Sequence, residues 1–87
     1  MDWFMKPART YSVRDDGRVE LRVILTVGDD AHVVTPWHSA RRPMIVSAAE
    51  IALDCDMPVN EVPGRELTAD GDQNGLHDFR LVHDPRL

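Results

Sequence analysis

Apolar and polar side chains alternate through residues 19–27, where every odd position is valine or leucine. Successive side chains of a β-strand point to opposite faces, so this alternation predicts a strand with one face in the core and the other in water. Half-buried strands of this kind are typical of antiparallel sheets. We therefore expect an antiparallel sheet with one hydrated face.

Turn-forming residues at 15–17 predict a hairpin that leads into this strand. If Gly17 ends a three-residue loop, Val13 lies opposite Val19 and the apolar side chains of both strands face the core. A two-residue turn would instead place an apolar side chain opposite a charged one, so the hydrophobic pattern selects the longer loop. A first strand is expected at residues 10–14.

The same requirement, that apolar side chains of paired strands face the core together, predicts a three-residue loop at residues 28–30 and a third strand at 31–37. In this register Val33 lies opposite Leu25 and faces the core. Trp37 would then reach the core from the end of the third strand.

The strongest helix signal begins at Ser47, which is followed by Glu50 in the spacing of a capping box. Val46 and Ile51 occupy the two positions of a hydrophobic staple, which fixes the entry of the chain into a helix. We expect a helix at residues 48–57 whose apolar stripe packs against the sheet.

Two more strands are expected at residues 66–69 and 76–82, joined by a polar loop at 70–75. The pattern as a whole predicts an α+β fold, in which a four- or five-stranded antiparallel sheet carries one helix on one face. The expected order is βββα followed by one or two strands. At 87 residues the chain, 1–87, should form a single small domain.

Charge is distributed unevenly along the chain, whose net charge is -5. Residues 1–44 contain seven basic and six acidic side chains, whereas residues 45–87 contain three and nine. This balance argues against a dedicated nucleic-acid binder. A single cysteine and the lack of a signal-peptide pattern predict a cytoplasmic protein without a membrane partner. The preference for Arg over Lys suggests a GC-rich bacterial or phage genome.

The sharpest chemical motif is the loop before the last strand, which matches five positions of an EF-hand calcium loop: Asp70, Asp72, Asn74, Gly75 and Asp78. The twelfth position should be a bidentate glutamate and is Leu81. The same residue types also form ordinary polar hairpin loops. Whether this loop binds an ion stays open at this stage, and no metal or cofactor site is assigned.

Catalytic constellations are weak in this sequence. Cys55 lies on the predicted buried stripe of the helix, where a free cysteine usually acts as a small hydrophobe. Glu50 and Asp54 form an acidic pair four residues apart, a spacing typical of a solvated helix face. We expect the protein not to be an enzyme.

The predicted outer face of the sheet is the better candidate for binding. Arg14 would lie opposite Arg18, with Arg22 further along the strand, and like charges directly across a hairpin repel each other. Ile24 would pair with Val34 and form an apolar spot beside this arginine row. An anion or a partner surface could neutralise the row, although nearby acidic residues could do the same.

A second candidate is the Trp37 loop, residues 36–43, which also contains Arg41 and Arg42. Tryptophan and arginine are enriched at binding hot spots, although Trp37 could equally close one end of the core. The leading hypothesis is a non-enzymatic module that binds another protein or itself, with a homodimer as one form. The alternative is a nucleic-acid-associated regulator. The candidate partner-binding residues are Arg14, Arg18, Arg22, Ile24, Val34, Trp37, Arg41 and Arg42.

Overall fold

A computed structural model describes residues 11–82 of the chain. It has strands β1 (Val19–Val27), β2 (Asp30–Val34), β3 (Met44–Ser47), β4 (Glu66–Asp72) and β5 (Gly75–Leu81), helix α1 (Ala48–Cys55) and a 3-10 turn at Val59–Glu61. The strands form one antiparallel sheet in the order β3-β2-β1-β4-β5. The predicted α+β class, with βββα followed by two strands, is confirmed.

One of the three strands before the helix is not where the sequence predicted it. The hairpin before β1 has the predicted register, with Gly17 at φ +85° and Val13 opposite Val19. It contributes only this one bridge, and residue 10 lies outside the described part of the chain. Val13 is exposed rather than buried, whereas Tyr11 of the same segment is buried. The third strand is instead β3, which lies between the predicted loop at 36–43 and the predicted helix, where the sequence assigned no strand.

The connection from β1 to β2 is a two-residue turn, so the predicted loop at 28–30 is wrong. Gly28 has φ +59° and stands first in the turn, as type II′ turns require. Val33 consequently pairs with Val23 rather than with Leu25. A β-bulge at Ile24 absorbs the change in register.

The bulge exchanges the two faces of β1. Val23 is fully buried on the helix side of the sheet, as the alternation predicted. Beyond Ile24, Leu25 lies opposite His32 and Thr26 lies opposite the buried Ala31. Leu25 and the following apolar residue of β1 therefore point to the outer face, defined here as the sheet face turned away from α1.

The turn between β1 and β2 also caps the helix. One carboxylate oxygen of Asp29 accepts from the backbone N–H of Ala49 at 2.9 Å, and the other accepts from the Ser47 hydroxyl at 3.0 Å. The Ser47 hydroxyl in turn accepts from the Glu50 N–H at 3.1 Å, as the capping box predicted. Asp29 and Ser47 thus satisfy two backbone donors of the first turn of α1.

Helix α1 ends at Cys55, two residues earlier than predicted. Asp56 takes a left-handed conformation, with φ 55° and ψ 53°. Its N–H donates to the Leu53 carbonyl, and the N–H of Met57 donates to the Ala52 carbonyl, which together form a Schellman motif. The chain then turns away from the helix axis.

The helix packs against β5 and closes the core on the inner face of the sheet. Ile51 and Cys55 are buried there, together with Phe79 of β5, the largest fully buried side chain. The backbone N–H of Phe79 donates to the Asp54 carboxylate at 3.1 Å and ties the two elements together.

The segment predicted as a loop at residues 70–75 is mostly strand. Asp72 pairs with Gly75 across a two-residue turn, and the Asp72 carboxylate accepts from the N–H of Asn74 at 2.8 Å. Gly71 has φ +130°, and a side chain there would collide with the Gly75 carbonyl oxygen. The glycine that this hairpin requires is therefore Gly71.

Alanine substitution of Gly71 and of Gly75 distinguishes this β-hairpin from a calcium-binding loop, because the two structures require different glycines. We expect Gly71→Ala to lower the free energy of unfolding by about 2–4 kcal/mol, because it combines backbone strain with a collision. Gly75→Ala is the matched control and should change it by less than about 0.5 kcal/mol, since the site has open space. Urea denaturation measures both. A calcium loop would show the reverse order.

Candidate functional site

Arg18 was predicted on an exposed arginine row, and this prediction is wrong. Its guanidinium lies on the outer face but is enclosed by β4 and β5, which leave its side chain 10% exposed. It donates to the hydroxyl and carbonyl oxygens of Thr68 and to the carbonyl and carboxylate oxygens of Asp78, at 2.8–3.3 Å. Asp70 forms an ion pair with it at 3.4 Å. Arg18 therefore holds three strands together and is not available to a partner.

The cause of this burial is a second bulge, in β5. Asp78 has φ +56° at the point where the register between β4 and β5 shifts. This conformation brings both its carbonyl and its carboxylate to Arg18. The sequence contains no local sign of the contact, because Arg18 and Asp78 are 60 residues apart.

Arg14 is also neutralised within the chain. Its Nε donates to Glu20 at 3.2 Å, and the same carboxylate accepts from the backbone N–H and the hydroxyl of Ser12 at 3.1 and 3.2 Å. The Ser12 N–H, followed by the Arg14 guanidinium, lowers the pKa of Glu20 below its ordinary value of 4.5, although partial burial opposes the shift. The repulsion predicted between Arg14 and Arg18 is relieved by these acidic partners.

Arg22 remains exposed on the outer face, between Val34 of β2 and Glu66 of β4. Ile24 was predicted to pair with Val34, but the register places Arg22 there. Ile24 is instead the half-buried bulge residue. The predicted cluster of arginines around an Ile24–Val34 pair is therefore not formed.

A larger apolar surface takes its place. Leu25, His32 and Ile45 lie opposite one another in a row across β1, β2 and β3. Val27 is 62% exposed beyond this row, and Val34 lies half-buried on the other side of it. We call Leu25, Val27, Val34 and Ile45 the outer apolar face. These apolar residues surround His32 and are bordered by polar side chains, and clustered exposed apolar residues with a polar rim are typical of an interaction surface.

Strand β3 makes this surface more accessible. It is an edge strand of the described sheet, and its four residues, Met44–Ser47, carry no charge. Charged side chains are a common protection of such edges against pairing with another chain. The outer apolar face therefore continues to an edge that lacks this protection.

The Trp37 loop holds its tryptophan on a tight turn. Thr35 and His38 exchange both backbone hydrogen bonds, at 3.0 and 3.3 Å, around Pro36 and Trp37. The Thr35 hydroxyl accepts from the N–H of Trp37 at 3.0 Å and lies 2.8 Å from Nδ1 of His38. Trp37 is 42% exposed and does not close the core. The strand predicted at residues 31–37 is β2, which ends at Val34.

A second turn fixes the arginines of the same loop. The N–H of Arg42 donates to the carbonyl of Ser39 at 3.1 Å. Arg41 and Arg42 are both exposed, as predicted. Two successive turns thus present one aromatic and two cationic side chains, and such preorganisation reduces the entropy lost on binding.

The residues that the sequence suggested for calcium binding or nucleophilic catalysis have other surroundings in residues 11–82. No three His, Cys, Asp or Glu side chains in this part of the chain are grouped to hold a metal ion. Asp70 and Asp78 of the calcium-like motif point to Arg18, and Cys55 is buried. None of the described helices is long and apolar enough to cross a membrane.

We expect Arg18→Lys to lower the free energy of unfolding by about 2 kcal/mol or more. Lysine keeps the charge but cannot supply the forked donors that reach both Thr68 and Asp78. Arg14→Lys is the matched control at an exposed ion pair and should cost less than about 0.5 kcal/mol. Equal losses in thermal or urea denaturation would contradict the bridging role of Arg18.

The Glu20 cluster predicts a specific dependence of stability on pH. Because the pKa of Glu20 is lowered in the folded protein, its stabilising contribution is complete above the unfolded value of about 4.5 and is lost as the pH falls through the folded pKa. Melting temperatures of Glu20→Gln should decline less steeply below pH 4.5 than those of the parent protein. Ser12→Ala keeps the backbone donor and should resemble the parent. A Glu20→Gln profile parallel to that of the parent would contradict the assignment.

Comparisons with known proteins supply no further guide to the site. No family model, curated protein or solved structure matches the chain. The function has to be argued from the outer apolar face and the Trp37 loop themselves.

Proposed function

We propose that the protein is a non-enzymatic interaction module that binds another protein, or a second copy of itself, through the outer apolar face and the Trp37 loop. The observation that carries the proposal is the β1 bulge, which turns Leu25 and Val27 outward onto the face where Ile45 lies across His32 of β2. A partner that covers the exposed apolar side chains at the end of β1 would stabilise the complex by about 25 cal/mol for each Å² of apolar surface buried.

The polar surroundings support specific recognition as well as burial. Asp30 and Ser47 flank the apolar row on one side, and Arg22 flanks it on the other. Interfaces commonly combine an apolar centre with a polar rim of this kind. The edge of β3 would add main-chain hydrogen bonds if a partner strand pairs with it.

Binding to nucleic acid is the second candidate, because three of the five candidate arginines, Arg22, Arg41 and Arg42, are exposed and are not engaged by Glu20 or Asp78. Arg22 lies opposite Val34, which leads directly into the loop that carries Arg41 and Arg42. Arg14 and Arg18 no longer contribute, since acidic groups of the chain engage them. Phosphate binding through so few cations would be weak and strongly salt-dependent. Failure to shift any DNA or RNA at low salt would exclude this function.

We expect the double variant Leu25→Thr/Ile45→Thr to lose partner binding while it keeps the fold, because both side chains are exposed. Val13→Thr changes an exposed apolar residue outside this face and is the matched control. The measurement compares proteins retained by each immobilised variant and their masses in solution by light scattering. Unchanged partners and mass in the double variant would contradict the proposal.

A further inference from the structure

A second apolar surface lies at the C-terminal end of α1, away from the sheet. It is a groove of about 470 Å³, which we call the helix-end groove, and it is lined by six apolar residues and one acidic residue: Ala49, Ala52, Leu53, Asp56, Met57, Pro58 and Val59. Leu53 is 82% exposed, and Val59 is half exposed beside it. Single exposed apolar residues are common, but these two share one groove with Met57.

Asp56 lines this groove, and every charged residue in the neighbouring sequence 47–62 is acidic. Glu50, Asp54 and Asp56 are exposed on α1 or at its end, and residues 47–62 contain no Lys or Arg. The C-terminal end of a helix carries partial negative charge, and the last turn of α1 has no basic residue to balance it. Acidic side chains at this position repel the helix end. The groove therefore favours an occupant that is both apolar and cationic.

The Trp37 loop of the same protein has this complementary chemistry. It presents one exposed indole next to Arg41 and Arg42, and residues 36–43 contain no acidic side chain. Its two turns hold these groups in place without a partner. Charges further apart than about 8 Å are screened at physiological salt, so this local match outweighs the repulsion between two copies of net charge -5.

We propose that the Trp37 loop of one copy binds the helix-end groove of a second copy, with Trp37 against Leu53 and the two arginines facing the acidic rim. The two surfaces differ, so the interface is head-to-tail, and each open assembly keeps one loop and one groove unoccupied at its two ends, from which it can close into a ring or grow into a filament. The inference rests on the proposed function only in using the Trp37 loop for binding. It does not involve the outer apolar face.

The test pairs two variants, each of which disables one side of the interface. Trp37→Ala removes the anchor and Leu53→Glu places a charge in the groove, and both residues are exposed enough for the fold to survive. The parent protein should self-associate with increasing concentration in sedimentation velocity, and each variant alone should associate at least tenfold more weakly. A 1:1 mixture should form a dimer and stop there, because only one competent loop and one competent groove remain.

Further measurements separate this interface from the outer apolar face. Raising the salt concentration from 50 to 500 mM should weaken the association several-fold, since ion pairs at the rim are screened. Leu25→Thr/Ile45→Thr should retain the head-to-tail association. Trp37→Phe should recover part of it, because an aromatic anchor remains.

Three results would overturn the inference. A parent protein that stays monomeric to millimolar concentration has no such interface. Association that neither Trp37→Ala nor Leu53→Glu weakens uses another surface. A mixture of the two variants that stays monomeric shows that loop and groove do not meet. In each case partner binding by the outer apolar face is untouched, so the proposed function is judged separately by its own variants.

Discussion

The β-bulge at Ile24 is the constraint on which most of the molecule depends. Before the bulge, β1 presents its valine and leucine side chains to the core, and after it the same residue types face outward. The bulge also sets the register in which Gly28 and Asp29 form a tight turn, so that Asp29 reaches the first turn of α1. One extra residue in one strand thus links the outer apolar face to the capping of the only helix in residues 11–82.

Arg18, next to the other end of β1, makes the second contact on which the arrangement of the sheet depends. Its guanidinium joins β1 to β4 and β5 through Thr68 and Asp78, and this connection uses a charge that would otherwise face solvent. The hydrated side of the sheet is consequently divided into two regions. Around Arg18 it is filled by internal polar contacts, and beyond Ile24 it is apolar and open. Only the second region is suited to a partner.

Local patterns in the sequence were sufficient for much of the fold. The capping signal at Ser47 and the loop ending at Gly17 depend on neighbours within a few residues, and both were predicted correctly. Features that depend on contacts with distant strands were not predicted. The alternation through 19–27 is broken at Ile24, where the bulge lies, but a single apolar side chain on the hydrated face is also common on regular strands, so the break does not specify a bulge. The position of Gly28 at the start of its turn was the one local sign of the two-residue connection.

In the candidate site, too, features set by neighbouring residues were predicted and features set by distant strands were missed. Arg41 and Arg42 are exposed in the predicted loop, which is bracketed by prolines and ordered by short-range turns. Trp37, which the sequence left equally suited to closing one end of the core, is exposed with them. Arg18 was misassigned, since Thr68 and Asp78 come from distant strands, whereas Arg14 pairs with Glu20, one of the nearby acidic residues that the sequence offered to neutralise it. Leu25 and Ile45 were missed because the first was assigned to the core and the second was assigned to no strand. Cysteine substitutions at positions 23, 25 and 27, in a protein whose Cys55 is replaced by alanine, test the exchange of faces most directly. In dilute solution we expect a thiol reagent to modify positions 25 and 27 rapidly and position 23 only on unfolding, whereas equal protection of all three would contradict the bulge and the binding face built on it.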